Sequence, residues 1–418
     1  MKLKCLCAAA ACCFGIAPAA LAQTTGKDRE TAPRPVQFPQ APRTDAHTVN
    51  PTAAEATPFE QDTGSETRSE QTFLEGLLSS INRVDEGWSP RVGSVVSGGG
   101  LAIGSHYRES LASSRLFLDT EYLASVKGYQ SALLEISSRP FARGKLRVGG
   151  GIQFHSLPQE DFFGYGPDSS VDNHASYHRQ GTDTRAWLAF TPKPWLEVRY
   201  TVGYLGTKLS SGDQPGVPSI EQVDWSTRVV GMARGSNFLH GGLEATIDRR
   251  DNPELTRSGG FYRVALDRFV PLSAQDRDFL RFNVDVRRYV PVSVLGDEDS
   301  IAVRGGLVMT DAAGSDARAA AFYFLPRLGG SSLRGYETSR FVDAHAAYFS
   351  AEYRWQVRRK LQIVGFVDAG QVASSLSNFS FGKLQHSVGA GVRYRGFRVD
   401  YAVGREGSRV HVGFGPSF

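Results

Sequence analysis

From about residue 91 to the C-terminus, apolar and polar side chains alternate with a period of two. The clearest run is 347–358. Ala347, Phe349, Ala351, Tyr353, Trp355 and Val357 fall on one face, and Tyr348, Ser350, Glu352, Arg354, Gln356 and Arg358 on the other. Successive residues of a strand point to opposite sides, so this segment has one apolar wall and one wet wall. The pattern returns in 280–287, where Leu280, Phe282, Val284 and Val286 oppose Arg281, Asn283, Asp285 and Arg287, and again in 196–204 and 384–394. Arginines and acids share the polar face of strand after strand. That suits a water-filled lumen better than the core of a two-sheet sandwich.

Such segments are predicted at 92–104, 115–126, 129–138, 145–155, 176–190, 195–206, 223–235, 238–248, 260–270, 279–290, 300–310, 341–357, 361–370, 384–395, 397–404 and 408–418. The expected fold class is all-β: a transmembrane antiparallel β-barrel of about 16 strands behind a disordered N-terminal periplasmic extension. Val410, Val412, Phe414 and Phe418 share one face of the last segment, which ends on an aromatic residue.

The first 90 residues follow different rules. Lys2 and Lys4 precede a short apolar run, Leu6 to Ile16, and Ala20-Leu21-Ala22 offers small residues for cleavage. That order predicts a signal peptide over 1–22 rather than a membrane anchor, because the apolar run is too short to span. Residues 23–70 are rich in Pro, Thr, Gln, Glu and Asp and cannot bury enough surface to fold. Apolar spacing predicts one short amphipathic helix over 72–83. The domains expected are therefore the signal peptide 1–22, a mostly disordered extension 23–90 and the barrel 91–418.

Composition sharpens the picture. The four cysteines, Cys5, Cys7, Cys12 and Cys13, lie in the predicted signal peptide, so a disulfide framework, thiol nucleophile or Cys-ligated zinc site is excluded downstream. Past the signal peptide no apolar stretch approaches the ~18 residues of a membrane helix. The net charge of +4, reduced to +2 once Lys2 and Lys4 leave, is too small to argue for nucleic acid.

Four motifs occur in order. They are Phe162-Phe163-Gly164-Tyr165-Gly166-Pro167; Asp248-Arg249-Arg250-Asp251-Asn252-Pro253 with Ser258-Gly259-Gly260; Gly329-Gly330-Ser331-Ser332-Leu333-Arg334-Gly335-Tyr336; and Phe366-Val367-Asp368-Ala369-Gly370. Together with the ending Arg409–Phe418, this set resembles the BamA/TamA superfamily of outer-membrane barrels, the bacterial surface antigens, over ~91–418. The Arg-Gly-Tyr and Phe-x-Asp-x-Gly motifs look like that family's two signatures. The resemblance implies that the loop carrying Arg334 folds into the lumen and that its arginine packs against acids of the next two strands. Strand parity supplies those acids, since Glu352 and Asp368 both fall on wet faces. Arg334, Gly335, Tyr336, Glu352 and Asp368 are thus the expected lumen anchor. The family's POTRA domains have no counterpart in 23–90, so the likeness is to short members with a barrel alone.

The Asp248–Pro253 stretch reads as a strand end and turn, because Asn-Pro and Ser-Gly-Gly are turn chemistry. Phe162–Pro167 reads as an aromatic loop at the rim, on the periplasmic side by strand counting. Function stays open among three readings. The first is an insertase or conduit for proteins or lipids, with a weak seam between first and last strands marked by Gly98, Gly99, Gly100, Phe414 and Phe418. Glycine weakens a strand interior, and Pro416 removes a ladder donor. The second is a passive pore or structural surface antigen. The third, an enzyme, rests on His240, Glu244 and Asp248 on one strand face, which more often line a lumen. No catalytic residue, cofactor or metal is expected. The expected partners are outer-membrane lipid, the barrel assembly machinery during biogenesis and protein or lipid clients, in a Gram-negative outer membrane.

If these readings hold, N-terminal sequencing of the protein from outer membranes starts at about Gln23, and the unheated protein runs ahead of the heated one on a detergent gel. Recovery of Met1 removes the signal peptide; absence of a heat-dependent shift removes the barrel.

Overall fold

The fold is taken from a computed structural model that describes residues 86–418, apart from 114, 226–228, 233–234, 254, 313–316, 359–360, 395–396 and 415–417. The predicted signal peptide, the polar extension and the helix at 72–83 lie outside the described residues, as does Pro416.

The chain forms strands β1 (Gly87–Gly93), β2 (Ala102–Leu111), β3 (Leu116–Ser125), β4 (Gln130–Ser138), β5 (Leu146–Phe162), β6 (Ala175–Lys193), β7 (Leu196–Ser211), β8 (Asn237–Asp248) and β9 (Gly259–Pro271). It continues with β10 (Phe279–Val292), β11 (Asp299–Ala312), β12 (Arg327–Leu328), β13 (Phe341–Val342), β14 (His345–Arg358), β15 (Leu361–Ala373), β16 (Gln385–Tyr394), β17 (Phe397–Gly404) and β18 (Gly407–Phe414). All but β12 and β13 join one 16-stranded sheet in simple chain order, from β1 to β18. Each neighbouring pair is antiparallel, as with β10 against β11 from Phe279↔Ala312 to Val292↔Asp299. The sheet curls into a nearly closed barrel whose two ends are β1 and β18. Among the described residues no paired ladder joins those two strands.

The period-two pattern has the orientation its chemistry demands. Phe349, Val367, Val388, Val392 and Val403 face outward and are exposed, whereas Ser350, Glu352, Arg354, Asp368 and Asp400 face the lumen and are buried. A membrane solvates the first set; ion pairs and hydrogen bonds satisfy the second. Asp285, for instance, accepts from Arg287 (3.1 Å) and Arg304 (2.7 Å) within the lumen. Prolines sit where a sheet tolerates them. Pro90 lies on an end strand, and Pro158 falls in the register shift between Leu157 and Glu160.

Several expectations need correction. The barrel starts at Gly87, ahead of the predicted boundary at 91. The segment 92–104 is two strands, β1 and β2, joined by a hairpin. Gly98 (φ 81°) and Gly100 (φ 79°) take left-handed conformations there that end a strand rather than continue it. Gly98, Gly99 and Gly100 therefore belong to a turn and not to the seam. The described residues of 223–235 are not a strand; Val223, Trp225, Val229 and Met232 pack on the apolar cluster that holds Phe322 and Phe324. These two errors cancel in the count of sixteen but reverse strand direction between them. Phe162–Pro167 consequently lies at the same end as the loop carrying Arg334, where Gly166 N–H donates to the Val342 carbonyl (2.9 Å), and not at the opposite end. The described part of the last strand runs from Gly407 to Phe414, which pairs with Phe397. Phe418 is not on it. It is buried beside Tyr289, whose hydroxyl donates to the Phe418 carbonyl oxygen (2.7 Å).

The outward strip gives a direct check. Val367 sits between Ala351 and Val388 in the ladder and faces outward. Val367→Arg should lower stability by about 2–4 kcal/mol in lipid, read from the urea midpoint. Gln153→Lys, across the ladder from Asp183 on the lumen face, should change it little. Equal tolerance at both positions would contradict the outward assignment.

Candidate functional site

The described part of the connection from β11 to β14, residues 317–344, turns inward instead of standing in solvent. Its first half is apolar. Phe322, Tyr323, Phe324 and Leu325 are buried with Phe162, Tyr177, Phe238, Phe269 and Phe279, which project from the wall. Aromatic edges meet faces throughout, as with Phe238 and Phe324 (5.3 Å, 90°). Arg327 then reaches the Tyr323 carbonyl (3.0 Å), the Tyr177 hydroxyl (3.2 Å) and Glu160 (3.5 Å). The short β12–β13 pair closes the base of the loop, with Arg327↔Val342 and Leu328↔Phe341.

The tip carries Arg334. Gly329 (φ 124°) and Gly330 (φ 58°) turn the chain there, and the Gly330 N–H donates to the Tyr336 carbonyl (3.2 Å). The guanidinium enters the lumen wall and is fully engaged. Its Nε and Nη2 make a two-pronged pair with Asp368 (2.8 and 2.7 Å). Nη1 donates to Glu352 (2.7 Å), and Nη2 also donates to the Ser350 hydroxyl (3.1 Å). The Arg334 backbone N–H donates to Asp368 as well (3.1 Å). The planar group lies over the Phe366 ring, 3.4 Å from its centre. Burial alone would lower the Arg334 pKa, but the hydrogen bond to Asp368 and the charges of Glu352, Asp368 and Asp400 outweigh it and raise it. The fork geometry is what lysine cannot reproduce.

Gly335 and Tyr336 serve the approach. A Cβ on Gly335 would fall 2.5 Å from the Ser387 Cβ and 2.7 Å from the Gly404 nitrogen, so only glycine lets the tip lie against β16 and β17. Tyr336 is buried, with its hydroxyl donating to Gln385 (3.2 Å) and its ring against Phe341 (5.2 Å). All five anchor residues expected from the sequence are thus in one cluster.

The cluster also holds residues that sequence reasoning missed. Asp400 lies 3.6 Å from Arg334 and pairs with Arg393. Glu352 offers its second oxygen to Arg354 (2.9 Å). Ser350 donates to Asp368 (2.6 Å), and His411 of β18 donates to the Arg334 carbonyl (2.6 Å). Their wet-face parity was readable; their convergence on one arginine depends on sheet curvature.

Other candidates separate. His240 pairs with Asp183 (2.9 Å), Asp248 with Arg250 (2.7 Å), and Glu244 lies 3.9 Å from Arg263. The three face different partners. The Asp251 carboxylate accepts the N–H groups of Asn252, Arg257 and Ser258 (2.9–3.1 Å), which makes 248–258 a self-closed turn.

Residues 124–418 match the Omp85 superfamily domain. Among solved structures the fold is similar to BamA from Haemophilus ducreyi lacking POTRA domains 1–3. The TM-score is 0.59 at 15% identity, over 79% of this chain and 69% of that one. CdiB from Acinetobacter baumannii aligns over 79% of this chain and 54% of that one, with 12% identity and a TM-score of 0.46. No curated protein matches the sequence.

Removing one partner from a desolvated ion pair strands the other, at about 3–5 kcal/mol. Arg334→Ala and Asp368→Asn should each lower the thermal midpoint of the heat-dependent gel shift, with Arg334→Lys in between. The double variant should cost less than the sum of the singles by about 0.5–3 kcal/mol. Strictly additive losses would mean that the two side chains do not act as a pair.

Proposed function

Because the chain belongs to the Omp85 superfamily, we propose that it inserts or translocates proteins or lipids at the outer membrane of a Gram-negative bacterium, without a chemical step of its own. Export with residues 1–22 removed, delivery by the barrel assembly machinery and contact with outer-membrane lipid belong to the same reading.

The observation that carries it is the sheet's pair of ends. β1 and β18 lie at opposite ends of the strand order with no paired ladder between them among the described residues. An unladdered edge offers backbone donors and acceptors to an incoming strand. Opening there would need little ladder to break, and the missing N–H of Pro90 weakens β1 as a partner. The lumen supports the same view. A passive pore needs an open path, whereas residues 320–342 bring an aromatic cluster and a buried ion-pair network into the barrel interior. Arg334, Gly335, Tyr336, Glu352 and Asp368 would then hold the loop in register with the wall.

Deleting the gene and taking inventory of outer-membrane proteins and lipids tests this. The expected result is depletion of a set of barrels or lipids, restored by the wild-type gene and not by Arg334→Ala. An unchanged inventory, with steady ion conductance from the purified protein in planar bilayers, would favour the passive pore.

A further inference from the structure

The two ends of the barrel carry their charges differently. At the end that holds the inserted loop, surface cations have carboxylate partners. Lys383 pairs with Asp168, Arg268 with Asp278 and Arg409 with Glu337. At the opposite end, the short turns β2–β3, β4–β5, β6–β7 and β8–β9 carry Arg115, Arg139, Arg143, Lys145, Lys193 and Arg249, all exposed. None of the six has an ion-pair partner among the described residues. Two are steadied by rings: the Arg139 guanidinium lies over Phe117 (5.1 Å) and that of Arg249 over Trp195 (4.1 Å). A ring holds a cation in place without neutralising it. Arg143 sits at φ 63°, next to Ala142 at φ 49°. Left-handed backbone is uncommon for such side chains, and strain of this kind gathers at working positions. Asn or Gly would suit the turn better, and arginine supplies charge there instead.

The chain enters the sheet at this same end. Gly87 pairs with Arg108 near the end of β2, and the Ser110 hydroxyl donates to Glu86. Ahead of Glu86 the sequence is acidic. Residues 55–70 hold Glu55, Glu60, Asp62, Glu66 and Glu70 against one base, Arg68. A segment so polar builds no core of its own, yet charge can hold it. Its reach suffices. From Glu70 to Gly87 the chain spans about 35 Å, even with the helix that apolar spacing predicts at 72–83. The arc from β2 to β9 measures about 34 Å at ~4.8 Å per strand. A tether of this kind sets a local concentration of about millimolar, at which weak pairs are enough.

We propose that residues 55–70 dock on this basic rim and are held along the β2–β9 arc by charge. The inference is independent of what the barrel inserts or translocates. Acids of the rim itself do not compete for the cations. Asp248 is paired with Arg250, and Asp251 accepts three backbone N–H groups of its own turn. Asp297 and Glu298, both exposed, stand on the β10–β11 turn and bound the basic arc on that side. A single exposed ion pair is worth little and is screened by salt. Five acids on one tethered segment act together and need no folded interface.

Pulsed electron paramagnetic resonance tests this on the protein purified from outer membranes, in nanodiscs of neutral phosphatidylcholine. Residues 23–418 contain no cysteine, so Ser65→Cys and Pro140→Cys take spin labels without removing a charge. A short distance between the labels is expected at low salt. At about 1 M salt, where the screening length is about 3 Å, the short-distance population should fall about tenfold. Arg139→Glu, Arg143→Glu and Lys145→Glu together should abolish it. Adding Glu60→Lys, Glu66→Lys and Glu70→Lys should bring it back, which a folding defect would not allow. The heat-dependent gel shift verifies each variant. A long distance indifferent to salt, a charge reversal without effect, or a swap that fails to restore the distance would overturn the proposal. Nanodiscs containing phosphatidylglycerol decide between occupants. A short distance that persists there upholds docking; one that disappears assigns the rim to anionic headgroups and overturns docking in the membrane.

Discussion

A single guanidinium sets the terms for the interior of this barrel. Arg334 is 4% exposed, and its partners Glu352 and Asp368 are 1% and 2% exposed. Removing such charges from water is costly, and the cost is offset only when every donor and acceptor is met with good geometry. Here the fork on Asp368, the second acid at Glu352, the Ser350 hydroxyl and the Phe366 face meet that demand together. The wall strands supply the acids whether or not the loop is present. Without Arg334 they would face one another in a confined space, with Arg354 and Arg393 as counter-charges. The loop is therefore part of the lumen's charge balance, and not a cover laid over it.

Much else follows from that placement. A loop anchored at β14 and β15 must lie across the lumen, so its first half can bury Phe322 and Phe324 against wall aromatics. Its tip must also pass close to β16 and β17, which requires glycine at 335. Once there, it meets β18 through His411 and the first hairpin through Ser97. The anchor thus fixes how the interior is filled and how the two sheet ends are related. With no paired ladder between β1 and β18 among the described residues, this indirect link carries more of the burden of closure than it would in a fully paired barrel.

The barrel and the inward faces of its acids were legible in the sequence for one reason, while the entry of Arg334 into the lumen was read from the family resemblance. A strand's period is two, and a membrane barrel puts opposite solvents on the two faces. That rule alone places Glu352 and Asp368 on the inside. It failed where alternation had another origin. Between 92 and 104 the run continues across a glycine turn, and only positive φ at Gly98 and Gly100 divides it. Val229 and Met232, three residues apart, pack on the apolar cluster with Phe322 and Phe324 and join no ladder. Phe418 shares parity with Val410 and Val412, yet it lies against Tyr289 and Arg354 while those valines are exposed. Asp400 and His411 could be assigned to the wet side, but their meeting with Arg334 joins four strands around a curve. Parity within one strand carries no information about that.

The central claim is a contact between two named groups, and dipolar recoupling in solid-state NMR reads such a contact directly. The protein would be labelled with 15N at arginine side chains and 13C at aspartate carboxyls and placed in lipid bilayers. The 2.7 Å N–O contact between Arg334 and Asp368 predicts a strong nitrogen–carbon coupling that vanishes selectively in Arg334→Lys. A spectrum in which Arg334→Lys removes no short-range arginine–aspartate coupling would contradict the account.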